Sequence, residues 1–139
     1  MSFIYSLAVL GSPTDTQLSE LEAAVAEAVS IFGLSLGKEI GWEVVPNTFI
    51  PNQQRSAAVV FFGGVGADHP SLPSLLRGGV PVVPVVSDFS GVASEIPEIL
   101  LPLNCLSYAN GGAKRLATAL LECAGLLPKQ RRVFVSYRR

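Results

Sequence analysis

The sequence is poor in the residues that most often carry chemistry. It has one histidine, His69, two cysteines, Cys105 and Cys123, one tryptophan and one methionine. A single histidine and two widely separated cysteines supply neither a zinc ligand set nor a CxxC redox pair, and they are too few for a disulfide framework. Both cysteines read as small buried hydrophobes. Charged residues make up only 15% of the chain. No apolar run approaches the roughly 18 residues of a membrane-spanning helix, and Met1-Ser2-Phe3-Ile4-Tyr5 lacks the basic start of a signal peptide. A cytoplasmic location without a membrane partner is therefore expected.

What the sequence does have is apolar surface. Hydrophobic residues reach 49% and mean hydropathy is +0.44, more than a free-standing globule needs, which leaves some of that surface to meet a partner. At 139 residues the chain suits one domain with its own core. The net charge of −1 hides an asymmetry. Lys129, Arg131, Arg132, Arg138 and Arg139 are five of the ten basic residues, and all eleven acidic residues precede them. An acidic body argues against nucleic acid, which needs a clustered basic face.

Phe3 to Leu10 is an apolar run stopped by Gly11-Ser12-Pro13, the pattern of a buried first strand. Thr14 and Gln17 have capping-box spacing, and Leu18, Leu21, Val25, Ala28, Val29 and Phe32 recur at helical intervals up to Gly33. Further strands are expected at Ile40 to Val45, Ala57 to Phe62, Val80 to Val86 and Asn104 to Tyr108. Between them lie a polar loop at Asn47 to Ser56, two helical turns at Ser71 to Arg77 and a short turn at Glu95 to Leu100. Gly112 to Leu126 forms a closing helix with Ala113, Leu116, Leu120 and Ala124 inward. Pro81 and Pro84 weaken the fourth strand's ladder and predict a bulge or a less central place.

Near-continuous apolar strands separated by helical segments predict a parallel sheet covered on both faces. The expected architecture is a three-layer α/β fold of flavodoxin-like type, five parallel strands in the order 2-1-3-4-5, occupying residues 1–127. Residues 128–139 are expected to be a linker and the start of a following domain. The switch point between the first and third strands sets Gly11 to Asp15 beside Gly63 to Asp68, at the strands' carboxyl ends.

There Ser12, Thr14 and the first amides of the helix could hold an anion, faced by the glycines of Gly63-Gly64-Val65-Gly66. Ser12, Thr14, Gly64, Gly66 and Asp68 are the ligand-binding candidates. The segment is neither GxGxxG nor a P-loop and contains no lysine. His69 beside Asp68 reads as a loop histidine, since adjacent residues rarely face each other. Glu95 and Glu98 read as solvated turn charges. No nucleophile, base and orienter can be named together, so no catalytic residue, metal site or cofactor is expected.

The last stretch, Arg132-Val133-Phe134-Val135-Ser136-Tyr137, resembles the first box of a TIR (Toll/interleukin-1 receptor) domain, with Phe134, Val135, Ser136 and Tyr137 matching it. The body is similar to a bacterial TIR domain in its order of strands and helices and in Ile96-Pro97-Glu98, Leu101-Pro102-Leu103-Asn104 and Tyr108. The resemblance has limits. The first strand ends in Gly-Ser-Pro, Asn47 to Ser56 is short for the family's BB loop and second helix, and Ser71 to Arg77 lacks the glutamate and tryptophan of NAD-cleaving members.

The resemblance implies a non-catalytic TIR-like domain of a bacterial signalling or defence protein that continues beyond Arg139 into a TIR domain, which could itself be an NADase. Such a domain would act through self-association, for instance as a dimer, or by packing on its neighbour. The alternative is a nucleotide- or metabolite-sensing domain with its ligand at the ends of the first and third strands.

Overall fold

Strand β1 (Tyr5–Gly11) enters a sharp turn at Gly11, whose φ of +91° few side chains tolerate and whose Cβ would lie 2.1 Å from the Phe62 carbonyl oxygen. Helix α1 (Asp15–Ser30) follows, opened by a reciprocal capping box: Gln17 N–H donates to Thr14 Oγ1 and Thr14 N–H donates to Gln17 Oε1. The remaining elements are β2 (Ile40–Val44), β3 (Ser56–Phe62), α2 (Leu72–Arg77), β4 (Val82–Val86), a 3-10 turn (Glu98–Leu100), β5 (Leu106–Ser107) and α3 (Gly112–Cys123). The computed structural model describes residues 5–49, 51, 56–64, 67–87, 95–103, 105–109 and 112–126.

The five strands pair in parallel in the order β2-β1-β3-β4-β5. This is the flavodoxin-like arrangement, with helices on both faces. Alternation along each strand divides the core into two. Leu7 and Val9 of β1, with Val60 and Phe62 of β3, pack under Leu21, Val25 and Val29 of α1 and Leu116, Leu120 and Leu121 of α3. Ala8, Leu10, Val59 and Phe61 face the other way, under Leu72 and Leu75 of α2, Ile96, Leu100 and Phe49.

Several boundaries differ from expectation for visible reasons. Helix α1 stops at Ser30, so Phe32 falls outside it and is 49% exposed, while Ile31 is 80% exposed. On α3 the inward face includes Ala117 and Leu121, with Ala113 only packed against its edge. Strand β4 is regular and lies inside the sheet, without a bulge, despite Pro84. Gly63 N–H donates to Val85 O on the β3 side, and Tyr108 N–H donates to Val86 O on the β5 side. By that alternation Pro84 points its nitrogen towards β5, one residue before pairing with Leu106 begins, so no ladder bond is lost.

The loop after β2 replaces a covering helix on the α2 face. Val45, at φ +41°, donates its N–H to Val9 O, and the chain then turns through Pro46. His69 is 7% exposed, and its Nε2 lies 2.6 Å from Pro46 O. Its Nδ1 accepts from Ser71 N–H, which makes Nε2 the donor to Pro46 O. The Ser71 hydroxyl in turn accepts from Phe49 N–H, holding the buried Phe49 ring over Leu10 and Phe61. His69 is thus a buried staple for this loop, where the sequence suggested a plain loop residue.

Among the described residues no helix is long and apolar enough to cross a membrane.

Candidate functional site

The β1 and β3 ends come together as the topology requires. Ser12 N–H donates to Phe62 O, and a Cβ on Gly64 would sit 3.2 Å from that of Ser12. Gly63 has a different neighbour: its Cβ would lie 2.8 Å from the backbone oxygen of Glu95. The glycines therefore serve close approach, with Gly64 beside the first turn and Gly63 beside the segment that leads to the 3-10 turn.

A cleft of about 250 Å³ opens at this junction. Ser12, Thr14 and Gln17 form one wall, Gly63 and Gly64 a second, and Ser87 with Glu95 a third; Phe62, Val85 and Val86 contribute apolar surface. Its position outside the carboxyl ends of the strands at the switch point is where open α/β sheets receive ligands.

Glu95 is tied to two segments that sequence does not bring beside it. The residue is half-buried; its carboxylate accepts from Ser87 N–H at 3.2 Å and from Ser87 Oγ–H at 2.9 Å in exposed surroundings, while its backbone oxygen accepts from Gly64 N–H. Glu98, three residues on, is exposed and opens the 3-10 turn.

Of the sequence candidates, Ser12, Thr14 and Gly64 line the cleft. Thr14 Oγ1 is already bonded to Gln17 N–H, so its hydroxyl is part of the helix cap. Asp68 is exposed and does not line the cleft; its carboxylate accepts from His69 N–H. Gly66, and the box residues Phe134, Val135, Ser136 and Tyr137, lie outside the described residues.

A second polar contact sits beyond β5. The Tyr108 hydroxyl donates to Glu20 of α1, and its ring lies 6.1 Å from that of Phe62. Burial, then the Glu20 hydrogen bond and charge, push the Tyr108 pKa up to about 12. Burial also raises the Cys105 thiol, which makes it less reactive. Among the described residues no three His, Cys, Asp or Glu side chains are placed to hold a metal ion.

Comparison with protein-family models, curated proteins and solved structures returns no match to this chain.

Proposed function

We propose that this chain is a ligand-recognition domain that binds a small polar molecule in the cleft between the ends of β1, β3 and β4 and performs no chemistry on it. The observation that carries this reading is the cleft itself, about 250 Å³ at the switch point with polar side chains converging on an apolar floor. The lack of a catalytic role rests on His69. Hydroxyl nucleophiles such as Ser12 or Ser87 are activated by an adjacent base, most often an imidazole. The chain's one histidine is bonded through both ring nitrogens to Pro46 and Ser71. It is spent on structure.

The test is a ligand panel read by thermal shift on the full chain, with Gly64→Leu as the blocking variant. Gly64 and Ser12 both line the cleft and lie close together, so a leucine side chain adds bulk where these two walls meet. A ligand that stabilises the native chain and leaves Gly64→Leu unmoved supports the reading; equal shifts in both defeat it.

A second reading, assembly through a TIR-like surface in a signalling or defence protein, is favoured by the sheet edge. Strand β2 is an edge strand with Glu43 and Val44 exposed and Val45 exposed beyond it, the kind of backbone that pairs with another chain or a neighbouring domain. Sedimentation with and without residues 129–139 over a wide concentration range checks it. Association that survives the deletion places the interface on the body, and a monomer throughout removes this reading.

A further inference from the structure

The hydrogen-bonding state of the cleft narrows what it can hold, an argument that rests on the ligand-recognition reading above. We infer that the cleft takes the ammonium group of a small organic cation, seated against the Glu95 carboxylate, with the rest of the molecule on Phe62, Val85 and Val86.

The first reason is that backbone donors at the cleft are largely engaged. A phosphate or carboxylate ligand needs N–H groups aimed at it. Ser12 N–H is bonded to Phe62 O, Gly63 N–H to Val85 O and Gly64 N–H to Glu95 O. Thr14 and Gln17 N–H are consumed by the capping box, and Ser87 N–H by Glu95. The lining amides of the turn that the sequence offers as an anion cradle are therefore engaged by its own contacts. That leaves the Gln17 side-chain amide and the Asp15 and Thr16 N–H groups as what the turn could offer an anion.

Acceptors remain. Each carboxylate oxygen of Glu95 takes one bond from Ser87 and keeps a further lone pair, and the Ser12 hydroxyl oxygen also borders the space.

The second reason is charge. Among the described residues no lysine or arginine lines the cleft. The one charged side chain among the described lining residues is Glu95. An anion would meet the Glu95 carboxylate with no lysine or arginine among the described lining residues to offset it, whereas a cation supplies the opposite charge that those residues lack. The volume suits a single-ring or short-chain amine.

The experiment is calorimetric titration of the full chain with four probes: benzylamine, benzyl alcohol, benzoate and inorganic phosphate. Benzylamine is expected to bind about tenfold or more tightly than benzyl alcohol, as one charge-assisted bond permits, with benzoate and phosphate silent. Glu95→Gln keeps an acceptor for Ser87 N–H and is expected to erase the preference for the amine; Glu22→Gln, on the exposed side of α1, leaves it intact. Should Glu95→Gln lower the melting temperature, Ser12→Lys decides, because an ammonium at the exposed rim must weaken benzylamine and spare benzyl alcohol.

Benzoate or phosphate binding as tightly as benzylamine, or an amine preference that survives Glu95→Gln, overturns the cation inference and leaves ligand recognition standing. Silence from all four probes overturns both.

Discussion

The two faces of the sheet are covered by different means. On one, α1 and α3 lay rows of leucine and valine over β1 and β3, and apolar packing makes the core of the contact. On the other, a six-residue helix, a 3-10 turn and a loop do the covering, and polar staples hold what packing cannot: His69 on Pro46, and Ser71 on Phe49. Area-proportional burial needs no particular geometry, but a loop without a repeating apolar face has few such contacts and must be fixed at named atoms. The helix face should thus resist local opening, and the loop face should open first.

The largest expected effect comes from the helix face. Leu21 is fully buried between α1 and the sheet, and Leu21→Ala should cost about 3 to 5 kcal/mol in denaturant unfolding. His69→Ala comes next, at about 2 to 3 kcal/mol, because it strips partners from Pro46 O and Ser71 N–H in a buried setting. Native-state hydrogen exchange should then show protection lost around Phe49 with α1 and α3 still protected. Equal loss in both helices would make the two faces one cooperative unit and break the comparison.

Val45→Gly should act in the opposite direction. A β-branched residue at φ +41° before a proline is strained, and glycine keeps the N–H bond to Val9 O, so a gain of about 1 kcal/mol is expected in thermal unfolding. A loss would mean that the Val45 side chain does more for the loop than its exposure indicates.

The smallest effect is Tyr108→Phe, about 1 kcal/mol or less, since the bond to Glu20 lies near solvent. The folded-state pKa of Tyr108 stands above the ordinary tyrosine value, so its contribution is fully present below that value and is lost as pH rises through about 12. Ultraviolet titration of the native chain should show one late-ionising tyrosine that this substitution removes.

The same contrast decides what could be read from sequence. Apolar runs bounded by glycine and proline announced all five strands, and the Thr14/Gln17 spacing announced the cap of α1, because each signal lies within a few residues of its effect. The parallel, doubly covered pattern pointed to a flavodoxin-like sheet, and the strand order chosen on that basis is the one observed. Strand β5 is shorter than its apolar stretch suggests, with only Leu106 and Ser107 paired to β4. His69 was legible as a residue but not as a staple: its partner is a backbone oxygen 23 positions away, and a carbonyl leaves no mark in the amino-acid pattern. Glu95 escaped for a similar reason, since Ser87 and Gly64 are ordinary turn residues until the sheet brings them together. Nothing in the composition around Val45 signals a positive φ.

Trp42 gives the edge of the sheet an optical reporter. It is the chain's one tryptophan, it lies on edge strand β2, and its indole Nε1 is buried with no hydrogen-bond partner among the described residues. An indole kept from water and from acceptors emits at shorter wavelength than a hydrated one, and tryptophan emission comes from this strand alone. Any chain that pairs with the β2 edge, or any opening that wets it, will change the emission without a label being attached.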